Sequence, residues 1–261
     1  MIARVRLLSF IAGVAVGAKA QALTIGPVLN YLHYEEPGVM SDKGFLVGLR
    51  MRNDILRAGA FSLYGDLEAS YGQTRYDGSI SNVQTGEVTP LRSDSRNFIY
   101  QSELGARQVI PLGEFGIGFK AGLRAYGLEN KMLGPGAYDR SIFQVYAPVS
   151  ADLFWRVSTA YVLGLRASYA WFLYGRVTSN LAMAVWGWPS VTNFQDSGKA
   201  AEAEIFLQPL GNERFSLGVR YSHHEIGESR PVSFRIGEDV TTVTEPTNRT
   251  KRYSLFVGYA F

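Results

Sequence analysis

The segment with the clearest potential for chemistry is residues 220–228, which read RYSHHEIGE. Ser222 and His224 lie two positions apart, so in a β-strand they share one face, about 7 Å apart along the chain. A serine beside a histidine can act as a nucleophile with its general base. No complete set of nucleophile, base and acid accompanies them. Ser222 and His224 are therefore weak catalytic candidates, and a polar strand end is the plainer interpretation.

A larger set of charged residues recurs at every second position of short segments, opposite apolar residues. Successive side chains of a strand point to opposite faces, so these charges predict one polar face per strand. Basic and acidic residues occur there in near-equal numbers, and we expect them to neutralise one another in a closed barrel interior. The predicted network comprises Arg50, Arg52, Asp66, Glu68, Glu103, Arg107, Lys120, Arg124, Asp152, Arg156, Arg166, Glu202, Glu204 and Arg220.

The residues that usually bind metals are scarce. The chain has no cysteine, and its three histidines, His33, His223 and His224, lie near predicted strand ends. A metal site needs three or four convergent ligands. We therefore expect no metal and no cofactor.

The first 22 residues have the features of a secretory signal peptide. Arg4 and Arg6 precede an apolar run, and Ala20-Gln21-Ala22 fits a signal-peptidase site. The apolar run is too short to span a membrane as a helix. The chain has 26 Lys and Arg and 23 Asp and Glu; three of the basic residues lie in this segment, which leaves 23 of each sign. The basic isoelectric point therefore gives no reason to expect nucleic-acid binding.

From residue 24 onward, short segments of alternating character follow one another, as expected for β-strands. Short and long connections alternate, as in barrels with short periplasmic turns and long extracellular loops. The predicted strands are 24–35, 44–54, 60–76, 96–110, 115–129, 142–156, 161–176, 199–209, 214–225 and 252–261. The short connections are 56–59, 112–115, 157–160 and 210–213, and the long ones are 36–43, 77–95, 130–141, 178–198 and 226–251.

The apolar faces of these strands are predicted to contact lipid. Phe45, Val47 and Leu49, for example, alternate with charged Arg50 and Arg52. Charged residues make up only 19% of the chain, below the quarter typical of soluble domains. Ten such faces would overfill a soluble core of this size. Aromatic residues near strand ends predict girdles at the two membrane interfaces: Tyr31, Tyr76, Trp155, Tyr161, Trp171, Tyr174, Tyr221, Tyr253 and Tyr259.

These features predict an all-β chain that forms a single transmembrane, up-and-down antiparallel β-barrel over residues 23–261. Ten strands fit best, with twelve or eight as alternatives. The C-terminal segment RYSLFVGYAF, ending in Tyr259-Ala260-Phe261, resembles that of Gram-negative outer-membrane β-barrel proteins. The resemblance implies that Tyr259 and Phe261 are read by the barrel-assembly machinery. It also implies an outer-membrane location, among lipid and lipopolysaccharide. Ten strands joined by four short turns and five long loops would put both termini on the short-turn side, the periplasm.

Ser222 and His224 also loosely resemble the histidine and serine of outer-membrane lipid A deacylases and phospholipases. Those families have His-x-Ser, whereas the order here is Ser-x-His. The shared face is also predicted to point into the lumen and not toward lipid. An outer-membrane hydrolase is therefore the second alternative function.

Two loops are distinctive. Residues 181–188 are unusually apolar, and we expect them to fold into the barrel mouth as a plug or constriction. Residues 232–236 and 240–243 flank Gly237 and predict a hairpin that projects beyond the membrane. Ten strands enclose a space close to that of fully filled barrels. We therefore expect a charge-filled, largely closed lumen and a non-enzymatic surface or structural role carried by the loops, with a narrow porin-like channel as the alternative.

Overall fold

A computed structural model describes residues 23–81, 88–134, 136–185, 187–210 and 214–261; the predicted signal peptide lies outside these ranges. Within these ranges the chain is built almost wholly of strands, with one 3-10 helix at Leu181–Met183. No helix in the described ranges is long and apolar enough to cross a membrane. The strands are β1 Thr24–Glu36, β2 Met40–Ala58, β3 Phe61–Ser81, β4 Val88–Leu112, β5 Phe115–Met132, β6 Asp139–Arg156, β7 Tyr161–Asn180, β8 Ser190–Gln195, β9 Gly198–Pro209, β10 Phe215–Ile226, β11 Val232–Ile236, β12 Asp239–Val243 and β13 Asn248–Ala260.

Ten of these strands form a closed antiparallel barrel. The ten wall strands are β1 to β7, β9, β10 and β13. Each of β1 to β6 pairs with the strand that follows it, β7 pairs with β9, β9 with β10, and β10 with β13. The barrel closes where Leu29 of β1 lies opposite Leu255 of β13. This topology confirms the predicted ten-stranded, up-and-down barrel. Closure pairs the backbone polar groups of every wall strand on both sides, which is the condition for a sheet to cross a lipid bilayer.

The strands near the loop end are longer than predicted. β3 and β4 stay paired from Asp77 opposite Arg92 to Ser81 opposite Val88, so most of the predicted 77–95 loop is strand. The predicted 36–43 loop is only a tight turn, in which Val39 N donates to Glu36 O at 2.9 Å. Backbone pairing continues beyond the apolar belt, where alternation is lost because both faces become polar. Side-chain pattern therefore underestimates strand length there.

The outward face carries the predicted apolar belt. Phe45, Val47 and Leu49 are more than 60% exposed, whereas Arg50 on the opposite face is 6% exposed. Tyr221 and Tyr253 lie side by side on the outward face, with ring centres 5.0 Å apart. Lipid-facing apolar side chains with aromatic residues at the belt's edge are the arrangement expected of a membrane barrel.

One predicted girdle residue faces the other way. Tyr76 is 8% exposed and packs inside the loop-end mouth with Met132 and Ala137. It lies on the inward-facing register of β3, so it takes no part in the interfacial girdle.

The loop after β10 forms the predicted hairpin. β11 and β12 pair around Gly237, whose φ of 60° suits glycine. They form a separate two-stranded sheet, so the twelve-stranded wall is wrong.

The apolar loop 181–188 does not occupy the mouth as expected. No residue of its short helix is buried, and Met183 is 53% exposed. Trp188 instead contacts Phe234 of the β11–β12 hairpin, with ring centres 5.4 Å apart. Residues 190–195, predicted as loop, form β8 beside β7 and carry this segment outward.

Candidate functional site

The middle of the lumen is crossed by ion pairs between strands that are not neighbours in the wall. Arg50 on β2 lies 3.1 Å from Glu204 on β9. Arg124 on β5 lies 2.8 Å from Glu202, also on β9. Arg220 on β10 binds Glu68 on β3. These contacts extend from wall to wall across the lumen.

The register of the wall places opposite charges next to one another. Arg52 lies opposite Asp66, and their side chains pair at 2.9 Å. Arg166 lies opposite Asp152 on one side and Glu204 on the other, at 2.7 and 3.2 Å. Arg52 also meets Glu204 across the lumen, at 2.6 Å. A buried ion left without such a partner costs several kcal/mol.

Three inward residues outside the predicted set complete this layer. Arg252 is 1% exposed and lies 3.4 Å from Glu68. Its Nη2 also donates to Gln101 Oε1 at 2.9 Å. Asn30 donates to Glu68 Oε1 at 3.2 Å. Alternation alone could have found Arg252 and Asn30, since each lies one position from a lipid-facing residue, Tyr253 or Leu29.

A second layer, nearer the loops, is apolar and was not expected from the sequence. Inward side chains of eight wall strands form one buried cluster there. Its members are Leu32, Tyr34, Leu46, Ile99, Tyr126, Leu128, Ile142, Tyr146, Ala170, Val177, Ala200 and Ile226, with Met40 and Phe172 packed against it. The sequence does carry a signal for this layer. Runs such as Phe45-Leu46-Val47 and Phe98-Ile99-Tyr100 make both faces of a strand apolar, which an open aqueous lumen would not favour.

The candidate pair Ser222 and His224 lies inside these layers. Both side chains are buried, at 1% and 2% exposure. His224 Nδ1 lies 3.0 Å from the hydroxyl of Tyr146, which donates to Gln144 Oε1 at 2.7 Å. His224 therefore acts as the donor to Tyr146, and no hydrogen bond joins it to Ser222 in the described part of the chain. Its ring also packs edge-on against Tyr146, so His224 is part of the side-chain packing inside the lumen.

A charge cluster that includes a loop residue lies across the loop-end mouth. Arg140 lies 2.7 Å from Glu36 and also binds Glu245, which precedes β13. Below it, Asp42 accepts hydrogen bonds from Asn97 and Asn130 at 3.0 and 2.8 Å. All these residues come from the long-connection end. Arg140, Glu36 and Glu245 join β6, β1 and the loop before β13 over the apolar layer.

The short-turn end is different, because it holds a cavity of about 450 Å³. Arg107 and Lys120 line this cavity, but neither joins the central ion pairs. Arg107 Nη1 is 3.9 Å from Asp54, and Lys120 lies over the ring of Tyr64 at 4.2 Å. Arg156 is not part of any buried network: it is the last residue of β6, beyond the end of the lumen, and its side chain is exposed.

In the described ranges no three His, Asp or Glu side chains converge on one point where they could bind a metal ion. His33 and His223 instead pair with Glu35 and Glu225 on their own strands, at 3.3 Å each. These pairs lie on the outward face, above the apolar belt.

Comparison with solved structures places the fold. The outer membrane protease OmpT from Escherichia coli superposes with a TM-score of 0.60 over 94% of this chain and 99% of that one, at 11% identity. The fold is that of an outer-membrane β-barrel. At this identity the likeness shows the fold alone.

Other outer-membrane barrels are less similar. The transport unit of the autotransporter AIDA-I from Escherichia coli has a TM-score of 0.44 at 10% identity, covering 94% of this chain and 92% of that one. The Pseudomonas putida toluene transporter TodX has a TM-score of 0.37 at 10% identity, covering 92% and 89%. No known family matches the chain in sequence, and no curated protein does.

Proposed function

We propose that this protein is an integral outer-membrane β-barrel that does not conduct and whose role is carried by its loop-end surface. The observation that carries this proposal is the filling of the lumen by two stacked layers. The ionic layer joins opposite walls through Arg50–Glu204 and Arg124–Glu202. The apolar layer around Leu46, Ile99 and Tyr146 lies above it. Water and ions passing through would have to displace both.

Little free volume remains at the centre of the lumen. The space among Arg50, Arg124, Glu202 and their neighbours is about 20 Å³, which holds about one water molecule. The larger cavity at the short-turn end stops at Arg52 and Arg166, which are both engaged in ion pairs. A narrow solute channel, the alternative, would need these pairs to open.

Planar-bilayer recording tests the closed lumen. We expect no steady openings from barrels whose insertion is verified by their heat-dependent gel migration. Steady openings in the native protein, with an ion selectivity that changes when Arg50→Glu and Arg124→Glu are introduced, would establish a pore and refute the proposal. A channel that appears only in variants lacking the ionic layer would support it.

The surface that we propose to carry the role is the unit formed by β8 and the β11–β12 hairpin. Asn193 of β8 donates to the carbonyl oxygens of Arg230 and Val243, at 3.3 and 3.2 Å. Arg230 also pairs with Asp196 at 2.7 Å. These contacts hold the two loops together and leave apolar side chains such as Met183 exposed at the tip. Exposed apolar groups on a well-fixed scaffold are typical of protein contact sites.

The proposed orientation, with the termini in the periplasm, can be tested directly because the chain has no cysteine. Val240→Cys places a single thiol on the hairpin, and Glu114→Cys places one in a short turn; both positions are exposed. We expect a membrane-impermeant maleimide to label the first variant and not the second on intact cells. The reverse labelling would overturn the orientation and move the proposed surface to the other side.

The proposed lipid partner is lipopolysaccharide. Above the aromatic girdle the outward face carries Lys43, Lys199, Lys251 and Arg249, with the carboxylates of Glu35 and Glu225 among them. Phosphate groups of a glycolipid would complement this band. Lys43→Glu with Lys251→Glu should lower the amount of lipopolysaccharide that copurifies with the barrel, and unchanged copurification would refute the partner.

The proposed assembly partner is the barrel-assembly machinery, which would read the end of β13. Phe261 is 67% exposed, and its backbone N–H donates to Leu23 O at 3.0 Å, so it lies at the seam where the barrel closes. Deleting Phe261 should slow the appearance of folded barrel in the membrane without affecting export. Normal assembly rates after deletion would contradict this reading.

A further inference from the structure

The cavity at the short-turn end is strongly basic, and nothing in the closed-barrel role uses it. It is bounded by the ends of wall strands from β2 round to β13 and opens on the side of the short turns. Two acidic residues, Asp54 and Asp66, line it. Its six basic lining residues are Arg52, Arg57, Arg107, Lys120, Arg166 and Arg214.

Two of these cations are already neutralised at the cavity floor. Arg52 contacts Asp66 at 2.9 Å and Glu204 at 2.6 Å. Arg166 contacts Asp152 at 2.7 Å and Glu204 at 3.2 Å. Their charges belong to the ionic layer. They close the cavity from the lumen side and contribute little net charge to it.

Lys120 and Arg107 also line the cavity but take no part in the ionic layer. Within the described ranges Lys120 has no carboxylate at ion-pair distance; its ammonium lies over Tyr64, whose hydroxyl donates to Glu103 at 2.6 Å. Arg107 reaches Asp54 only at 3.9 Å, and its buried Nε has no hydrogen-bond partner among the described residues. The two residues lie directly opposite each other on β4 and β5. Like charges placed side by side inside a barrel are costly unless something of opposite sign lies between them.

Two further basic residues at the rim add to the positive potential of the cavity. Arg57 and Arg214 are exposed and line the entrance. Arg57 is held by its own turn, where its Nε donates to Gly59 O at 3.3 Å. A cleft lined by one sign of charge in a low-dielectric wall concentrates ions of the opposite sign. The arrangement is a basic entrance that leads to two deeper cations, of which Arg107 has only the long Asp54 contact and Lys120 has no carboxylate at ion-pair distance in the described ranges.

We propose that this cavity is a binding site for a compact anion with at least two negative charges, held between Lys120 and Arg107. Its volume of about 450 Å³ lies within the range of small-molecule sites. A guanidinium donates two parallel hydrogen bonds to a phosphate or carboxylate, and an ammonium adds a point charge. Phosphate and polycarboxylate groups share this chemistry. The site stands independently of whether the lumen conducts.

Isothermal titration calorimetry of the refolded full barrel, in zwitterionic detergent at low salt, tests the site. The probes are pyrophosphate and citrate, and the tighter of the two identifies phosphate or carboxylate as the preferred group. We expect saturable one-to-one binding. Lys120→Gln should weaken it by about tenfold, since a charge-assisted hydrogen bond contributes about that much. Lys120→Arg should restore most of the affinity.

The matched control is Arg92→Gln, which removes an exposed cation at the loop end, where Arg92 pairs with Asp77 at 3.2 Å. It should bind the probes as the native barrel does. A second variant, Arg107→Gln, guards against a folding defect in the first, and heat-dependent gel migration verifies that each barrel is intact. No saturable binding of either probe, or equal affinity in Lys120→Gln and Arg92→Gln, would overturn the proposal.

Discussion

At the loop end of the lumen Tyr126 and Tyr146 pack against His224, and Phe172 packs against Tyr146. At the short-turn end Lys120 and Arg107 line an open cavity of about 450 Å³. The two regions use the same ten strands and the same inward-facing register. They differ in how two pairs of inward polar residues are arranged: His224 and Tyr146 bond to each other, whereas Lys120 and Arg107 lie side by side and Lys120 meets no carboxylate in the described ranges.

This difference separates groups that hold the barrel together from groups that are available to a ligand. A buried polar group whose hydrogen bonds are all made within the protein stabilises the fold and is not available to bind a ligand. A cation left without its counter-charge costs stability, and that cost can be offset by a bound anion. Stability and ligand binding should therefore respond in opposite ways at the two ends. Three substitutions, from the largest expected effect to the smallest, test this contrast.

Arg124→Ala should be the most damaging. Arg124 lies 2.7 Å from Glu103 and 2.8 Å from Glu202, and it is 3% exposed. Its loss leaves two carboxylates unpaired inside the barrel. We expect the free energy of unfolding to fall by about 3–5 kcal/mol. Urea titration of barrels in lipid vesicles, followed by tryptophan fluorescence, measures it.

The matched control for Arg124 is Arg92→Ala, which breaks an exposed pair with Asp77 and should cost at most about 1 kcal/mol. A loss of less than about 1 kcal/mol for Arg124→Ala as well would show that the central ion pairs do not hold the lumen. The contrast between the two ends would then lose its basis.

Tyr146→Phe should have an intermediate effect. The substitution keeps the ring that packs against Phe172 and removes only the hydroxyl that joins His224 to Gln144. Two buried polar groups then lack a partner, which should cost about 1–3 kcal/mol in the same titration. Tyr169→Phe, at a lipid-facing position that is 41% exposed, should be close to neutral. Equal effects of the two would contradict a stabilising role for the hydrogen bonds from His224 to Tyr146 and from Tyr146 to Gln144.

Lys120→Met should have the smallest effect, and its sign is the informative part. It breaks no ion pair and removes a positive charge from a cavity that Arg52 and Arg166 also line. We expect the free energy of unfolding without ligand to stay the same or to rise by up to about 1 kcal/mol. A loss of more than about 2 kcal/mol would mean that Lys120 supports the fold, as Arg124 does.

Several features follow from the sequence because they depend only on neighbouring residues. Alternation with a period of two placed Phe45, Val47 and Leu49 on the outward face and Arg50 on the inward face. The turn chemistry of Gly237 marked the β11–β12 hairpin. The count of alternating segments, with β13 ending at the C-terminus, predicted ten strands. A strand's two faces are local properties, and so they can be read from a single chain.

The lumen itself was decided only by the tertiary structure. Arg50 and Glu204 are 154 residues apart in sequence, and Arg140 reaches Glu245 from a loop, so no local pattern joins them. Alternation identified Lys120 and Arg156 as polar-face residues but could not show that one would lack a partner and the other would lie beyond the barrel's end. Which side chains meet across a lumen depends on the strand number, stagger and tilt of the closed barrel. These are properties of the whole sheet, and they appear only when the last strand pairs with the first.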